Sequence, residues 1–256
     1  MAIETSPRTA LITGGARRIG RTIVRDLAAH GWAVAIHCNR SVAEAETEAQ
    51  AIRQAGGTAA IIQADLENAD ATATILLQAN EEIGPIDLLV NNASTFVEDR
   101  FGSLDMQIWR RQFAVNLEAP IFLAEAFAVQ LPDGAEGNIV NLIDQRVWKL
   151  NPHMPSYTLS KAALWTATQT MAQSFAPRIR VNGIGPGPTF PNPRDGEAGL
   201  DREASGILLE RRVDPADIAT AVRFLVDTPS ITGQMLAVDG GQHLAWKTPD
   251  IVESDS

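Results

Sequence analysis

The sequence predicts an α/β fold: one doubly wound parallel sheet of about seven strands, with helices on both faces. Three observations predict it. Short apolar runs rich in Val, Ile, Leu and Ala alternate with longer helical patterns along the chain. A glycine-rich turn, Thr13-Gly14-Gly15-Ala16-Arg17-Arg18-Ile19-Gly20, follows the first apolar run and opens the first helical one. The chain has 256 residues, enough for one large core, and no linker or internal repeat divides it.

The elements follow in order. Apolar runs predict strands over 10–13, 33–37, 59–63, 88–91, 138–143, 180–183 and 235–238. Helical patterns lie between them, over 18–30, 42–55, 69–83, 104–131, 156–175 and 215–226. Strands that alternate with helices make right-handed crossovers and a parallel sheet. Residues 1–246 therefore read as a single domain. Within it, 185–206 breaks the alternation with Pro186, Pro188, Pro191 and Pro193. That stretch reads as a loop, long enough to cover a site as a lid. Residues 247–256 are polar and acidic and read as a disordered tail.

Charge and composition exclude several functions. Lys and Arg number 21 against 31 Asp and Glu, a formal net charge of -10, which argues against a nucleic-acid surface. No apolar run approaches the roughly 18 residues of a membrane span. The first seven residues lack the basic and apolar regions of a signal peptide. Cys38 is the only cysteine, so no internal disulfide forms, and a cytoplasmic setting is expected. Neither the histidines nor Cys38 form a metal-ligand pattern.

The glycine-rich turn suits a pyrophosphate, because a helix N-terminus offers free N–H groups and partial positive charge. An NAD site usually has a carboxylate about 20 residues on, holding the ribose 2′-hydroxyl. Here no acidic residue occurs between Asp26 and Glu44. The second strand ends in His37-Cys38-Asn39-Arg40-Ser41 instead. A guanidinium and a hydroxyl suit a 2′-phosphate, with Arg17 and Arg18 nearby, so NADP(H) is the expected cofactor.

A second constellation concerns proton transfer. Tyr157 and Lys161 stand four apart on a helical pattern, so both side chains share one face. A free phenol titrates near about 10, and a neighbouring ammonium is expected to lower that value. Asp144 ends the fifth apolar run, thirteen residues before the tyrosine. It could belong to this site or serve as a structural partner of Arg146.

Together these residues resemble the short-chain dehydrogenase/reductase family over nearly the whole chain. The matching segments are 13–20, Asp65, Asn91-Asn92-Ala93, Asn116, Tyr157-x-x-x-Lys161, Pro186-Gly187 and Asp239-Gly240-Gly241. The resemblance implies a single-domain Rossmann fold and hydride transfer involving a nicotinamide. It implies that Tyr157 is the acid/base, that Lys161 holds the nicotinamide ribose and that Asn116 supports a water path. Thr13, Gly14, Ile19, Gly20, Asp65, Leu66, Asn92, Ala93, Ser94, Pro186 and Gly187 would line the cofactor, with His37, Asn39, Arg40 and Ser41 near the adenosine end. A tetramer through the two longest helices is implied as well.

Two departures narrow this. Arg18 replaces a usual glycine, and Asp144 a usual serine that bonds a substrate carbonyl. Both, with His37-x-x-Arg40-Ser41 and Asn92-Ala93-Ser94-x-Phe96, resemble the pteridine and dihydromonapterin reductases. That subgroup implies a pterin-like small-molecule substrate held by Phe96, Ser94, Arg18, Asp144 and Tyr157. A carbonyl or 3-oxoacyl reductase is the alternative, and a non-catalytic NADP(H)-binding sensor is an alternative of another class.

Overall fold

The computed structural model describes residues 8–192 and 195–246. Its seven strands are β1 (Thr9–Ile12), β2 (Ala33–Cys38), β3 (Ala59–Gln63), β4 (Leu88–Asn91), β5 (Gly137–Leu142), β6 (Ile179–Pro186) and β7 (Met235–Val238). They form one sheet in the order β3-β2-β1-β4-β5-β6-β7, and every neighbouring pair is parallel. The chain builds outward from β1 to β3, then returns to lay β4 on the other side of β1. This reversal opens a crevice beyond the carboxyl ends of β1 and β4, where such sheets bind ligands.

Among the described residues there are eight α-helices: α1 (Arg18–Ala29), α2 (Val42–Gln54), α3 (Ala69–Ile83), α4 (Met106–Phe113), α5 (Ala119–Gln130), α6 (Pro155–Phe175), α7 (Gly196–Ser205) and α8 (Pro215–Asp227). Successive residues of β1 face opposite ways, so Ala10 and Ile12 join one core and Leu11 the other. The first core takes Ile23, Val24 and Leu27 of α1 and Ile218, Val222 and Leu225 of α8. The second takes Ile75 of α3, Leu123 and Phe127 of α5 and Met171 of α6. Being buried on both faces is what makes the strands read as continuous apolar runs.

Two elements differ from the sequence reading. The helix expected over 104–131 is two helices joined by a π-turn, Ala114–Glu118. Pro120 explains the break. It has no N–H for the carbonyl four residues back, and its ring would collide there. The start falls at Met106 because the Asp105 carboxylate accepts from the N–H groups of Gln107 and Ile108. The composite Met106–Gln130 is long and apolar enough to cross a bilayer, against expectation. Ala119, Leu123, Ala124 and Phe127 nevertheless place one face of it in the second core. The expected loop over 185–206 contains α7, which buries Leu200 and Ala204 one turn apart. Its prolines within the described residues all precede the helix, so none interrupts it. The tail over 247–256 lies outside the described residues.

A polar ladder crosses the core beneath the crevice. Asn91 of β4 donates to Asn141 Oδ1 of β5 at 2.9 Å, and Asn141 donates to Thr168 Oγ1 of α6 at 2.8 Å. Thr168 donates onward to the Leu164 carbonyl at 2.8 Å. All three side chains are buried, so each bond substitutes for lost water. Thr168→Val keeps the shape and strands the Asn141 N–H. Urea denaturation is expected to show a loss of about 1–3 kcal/mol.

Candidate active site

The turn after β1 is locked from three sides. Thr13 Oγ1 accepts from the N–H groups of Asn92 and Ala93 at 2.9 and 3.0 Å. The Asn92 amide donates to the carbonyls of Thr13 and Gly14 at 2.8 and 3.1 Å. His37 holds the third side. Its Nδ1 accepts from the Gly14 N–H at 3.1 Å, and its Nε2 faces the Ala64 carbonyl at 3.2 Å. The imidazole is thus a neutral, buried clamp on the glycine turn. Gly14 has a left-handed φ of 63°. A Cβ on Gly20 would come within 2.3 Å of the Gly14 carbonyl oxygen, so the helix starts against the turn only with glycine there.

These features fit a pyrophosphate. The first turn of α1 has neither a side-chain cap nor an acidic residue, leaving its N–H groups for an anion. Ser41 precedes α2, and Arg40 is exposed beside it. Glu44, the first acid after β2, is paired with Arg17. Arg17 is therefore turned to α2 rather than left free. Arg18 adopts a left-handed φ of 50°, and its guanidinium reaches Phe190, bonding the carbonyl at 3.3 Å and covering the ring at 5.3 Å. Asp65 accepts from the Glu67 N–H, and Leu66 beside it is buried. Gly187 lies so close to Asp239 that a Cβ would meet its Cα at 2.6 Å.

The residues expected to transfer a proton converge where β5 and α6 meet. The Tyr157 hydroxyl donates to Asp144 Oδ2 at 2.8 Å, while Asp144 Oδ1 accepts from the Arg146 N–H at 2.7 Å. Lys161 is 2 % exposed and donates to the Leu142 carbonyl at 2.7 Å. Burial lowers its ammonium to about 8. The expected lowering of the phenol by Lys161 is reversed. Burial first, then the Asp144 charge, push Tyr157 well above the ordinary tyrosine value. The ammonium sits 6.0 Å from the phenol ring centre, bonded elsewhere, and does not offset them.

Asn116 sits in the π-turn, fully buried. It donates to the Thr95 carbonyl and to Ser160 Oγ, and accepts from the Ser94 hydroxyl and the Thr95 N–H. It thereby ties the segment after β4 to α6. Phe96 on that segment meets the Tyr157 ring edge-on, with centres 4.7 Å apart, and is 43 % exposed. A part-exposed aromatic ring beside a phenol–carboxylate pair suits contact with a flat ring.

Two residues here escaped the sequence reading. Phe190 was one apolar residue in a proline-rich stretch. Arg146 was considered only as a structural partner of Asp144, yet its guanidinium covers Phe96 and Tyr157 at 5.8 and 5.9 Å. Trp148 packs edge-on against Trp165 and His243, outside this cluster.

A model of the short chain dehydrogenase family matches residues 8–195. The FolM alternative dihydrofolate reductase 1 from Brucella canis, solved with NADP, is 54% identical, with a TM-score of 0.91 over 96% of this chain and 98% of that one. A short chain dehydrogenase from Burkholderia cenocepacia J2315, also with NADP, is 34% identical, with a TM-score of 0.86 over 93% and 98% of the two chains. A 3-oxoacyl-[acyl-carrier-protein] reductase from Synechocystis is 30% identical over 240 residues, covering 91% of this chain and 96% of its own length.

The His37 clamp has a pH signature. Burial lowers its folded value from 6.5 to about 4, so the unfolded chain binds the proton more tightly. Its stabilising contribution is complete above 6.5 and is lost as pH falls toward 4. Denaturation across that window should show a loss of up to about 3 kcal/mol from this group. His37→Gln should remove that part of the pH dependence.

Proposed function

The chain belongs to the short-chain dehydrogenase/reductase family, and on that premise we propose that it is an NADPH-dependent reductase of a dihydropterin or related nitrogen heterocycle. The carrying observation is the Tyr157–Asp144 bond beside the part-exposed Phe96 ring. Bound NADPH supplies a hydride for the carbon of a ring C=N bond. Tyr157, coupled to Asp144, gives the proton to the nitrogen, and Lys161 and Asn116 keep this wall in place. A pterin edge carries amino and ring N–H donors, for which the Asp144 carboxylate is an acceptor. An ionised carboxylate offers no donor to a ketone oxygen. The Brucella relative is named a dihydrofolate reductase, and dihydrofolate contains a dihydropterin ring.

In this reading Arg40 and Ser41 hold the 2′-phosphate, and the α1 N-terminus holds the pyrophosphate. The described residues of 185–206, with Phe190 against Arg18, cover the substrate. The single buried Cys38 suits a reducing cytoplasm. The exposed Phe122, Val129 and Leu159 on α5 and α6 give a homotetramer an apolar surface to bury. A carbonyl or 3-oxoacyl reductase is the second reading, supported by the Synechocystis relative and opposed by Asp144.

NADPH oxidation assayed with dihydrobiopterin, dihydromonapterin, dihydrofolate and simple ketones tests the proposal. A dihydropterin should be reduced and ketones only weakly; good ketone turnover with no pterin turnover would establish the second reading. Asp144→Ser should lower pterin turnover with little change in NADPH affinity, and Phe96→Ala should act mainly on KM. The cofactor assignment has its own check. Arg40→Asp places a carboxylate against the 2′-phosphate and should weaken NADPH binding roughly ten- to a hundredfold. Equal NADPH and NADH affinities in the parent protein would contradict it.

A further inference from the structure

The segment that carries Asp144 also places a cation beside the phenol. Arg146 lies in the short turn Gln145–Val147. Its guanidinium carbon is 5.9 Å from the Tyr157 ring centre. Among the described residues no carboxylate pairs with it. Its Nη1 makes a 3.4 Å bond to the His153 carbonyl, and its Nε N–H is buried without an acceptor. Holding a guanidinium this way costs free energy, so its position calls for a cause.

The chemistry of proton donation supplies one. While a ring carbon of the substrate accepts a hydride, the adjacent nitrogen accepts the Tyr157 proton. The O–H bond breaks, an N–H bond forms, and the electron pair stays on the phenol oxygen. That phenolate then stands 2.8 Å from a carboxylate oxygen of Asp144. Two anions this close strongly disfavour each other. Were residue 144 a hydroxyl, one phenolate would face one cation, Lys161. With Asp144 there are two negative charges to balance.

We propose that Arg146 is a positioning residue of the proton-transfer site, whose guanidinium is the counter-charge that lets the Asp144 carboxylate and the Tyr157 phenolate coexist. The groups facing the phenol are Asp144 and Arg146 from the segment after β5, Lys161 from α6 and the Ser94 hydroxyl from the segment after β4. Asp99 lies one residue further off, accepting from the Ser156 N–H. The directions agree: burial and Asp144 push the phenol up, whereas Arg146 and Ser94 pull it down. The inference rests on Tyr157 as proton donor and not on which heterocycle is reduced.

Tyr157 is the only tyrosine in the chain, so phenolate difference absorbance reports it alone, with neither cofactor nor substrate present. Arg146→Gln should move the appearance of phenolate to higher pH. Turnover should fall about a hundredfold, in kcat more than KM, with NADPH binding by fluorescence unchanged. In the Asp144→Ser background the same change should cost much less. Arg146→Lys, which keeps the charge, should stay near the parent in the phenolate titration. Should Arg146→Gln fail to fold, Arg146→Met carries the same expectation. Phenolate appearing at the same pH with and without the charge would overturn the proposal. So would an equal turnover loss in both backgrounds, or a lysine variant that behaves like the glutamine one.

Discussion

The 2.8 Å hydrogen bond from Tyr157 to Asp144 joins α6 to the end of β5, and much of the crevice is built to hold it. Asp144 must pass closely over β6. It does so because β6 carries glycines there: a Cβ on Gly183 would meet Ile143 Cδ1 at 2.4 Å, and one on Gly185 would approach the Gln145 backbone nitrogen at 3.1 Å. Tyr157 is fixed from the other side. Lys161, one turn on, anchors to the Leu142 carbonyl just before Asp144. The same strand end therefore positions the carboxylate and receives the lysine.

This arrangement separates two tasks along one sheet. The half built on β1 to β3 presents backbone N–H groups, glycines and the clamped turn, which suit phosphate. The half built on β4 to β6 presents the titratable side chains. Asn92 and Asn116 link the halves through the segment after β4, which bonds the glycine turn at one end and the π-turn at the other. The π-turn is thus a structural requirement of the site. It arises where Pro120 forbids a regular helix, and it turns the Asn116 amide toward four partners.

The sheet was legible because a parallel strand buried on both faces leaves an unmistakable apolar run, as in Ala33 to Cys38. The Tyr157/Lys161 pair was legible because helical spacing alone puts them on one face. Long-range geometry was less accessible. Nothing local says that His37 reaches back to Gly14, or that Glu44 draws Arg17 aside. The sign of the phenol shift was missed for the same reason. Spacing places Lys161 near the ring, but only three dimensions show its ammonium bonded to a carbonyl and the carboxylate bonded to the phenol. The break before Pro120 could have been read, since a proline inside a long helical pattern marks a bend or stop. The α7 helix was hidden by the prolines that precede it.

The claim at the centre is that the Tyr157 hydroxyl is the proton donor. Tyr157→Phe keeps the ring and its edge-on contact with Phe96 while removing the exchangeable hydrogen. Single-turnover NADPH oxidation with a dihydropterin, measured beside NADPH binding, addresses it directly. The account predicts unchanged cofactor binding and a rate reduced by about 10²–10⁴, the usual worth of general acid–base catalysis. A Tyr157→Phe enzyme that turns over at the parent rate would contradict it and assign the proton to another group.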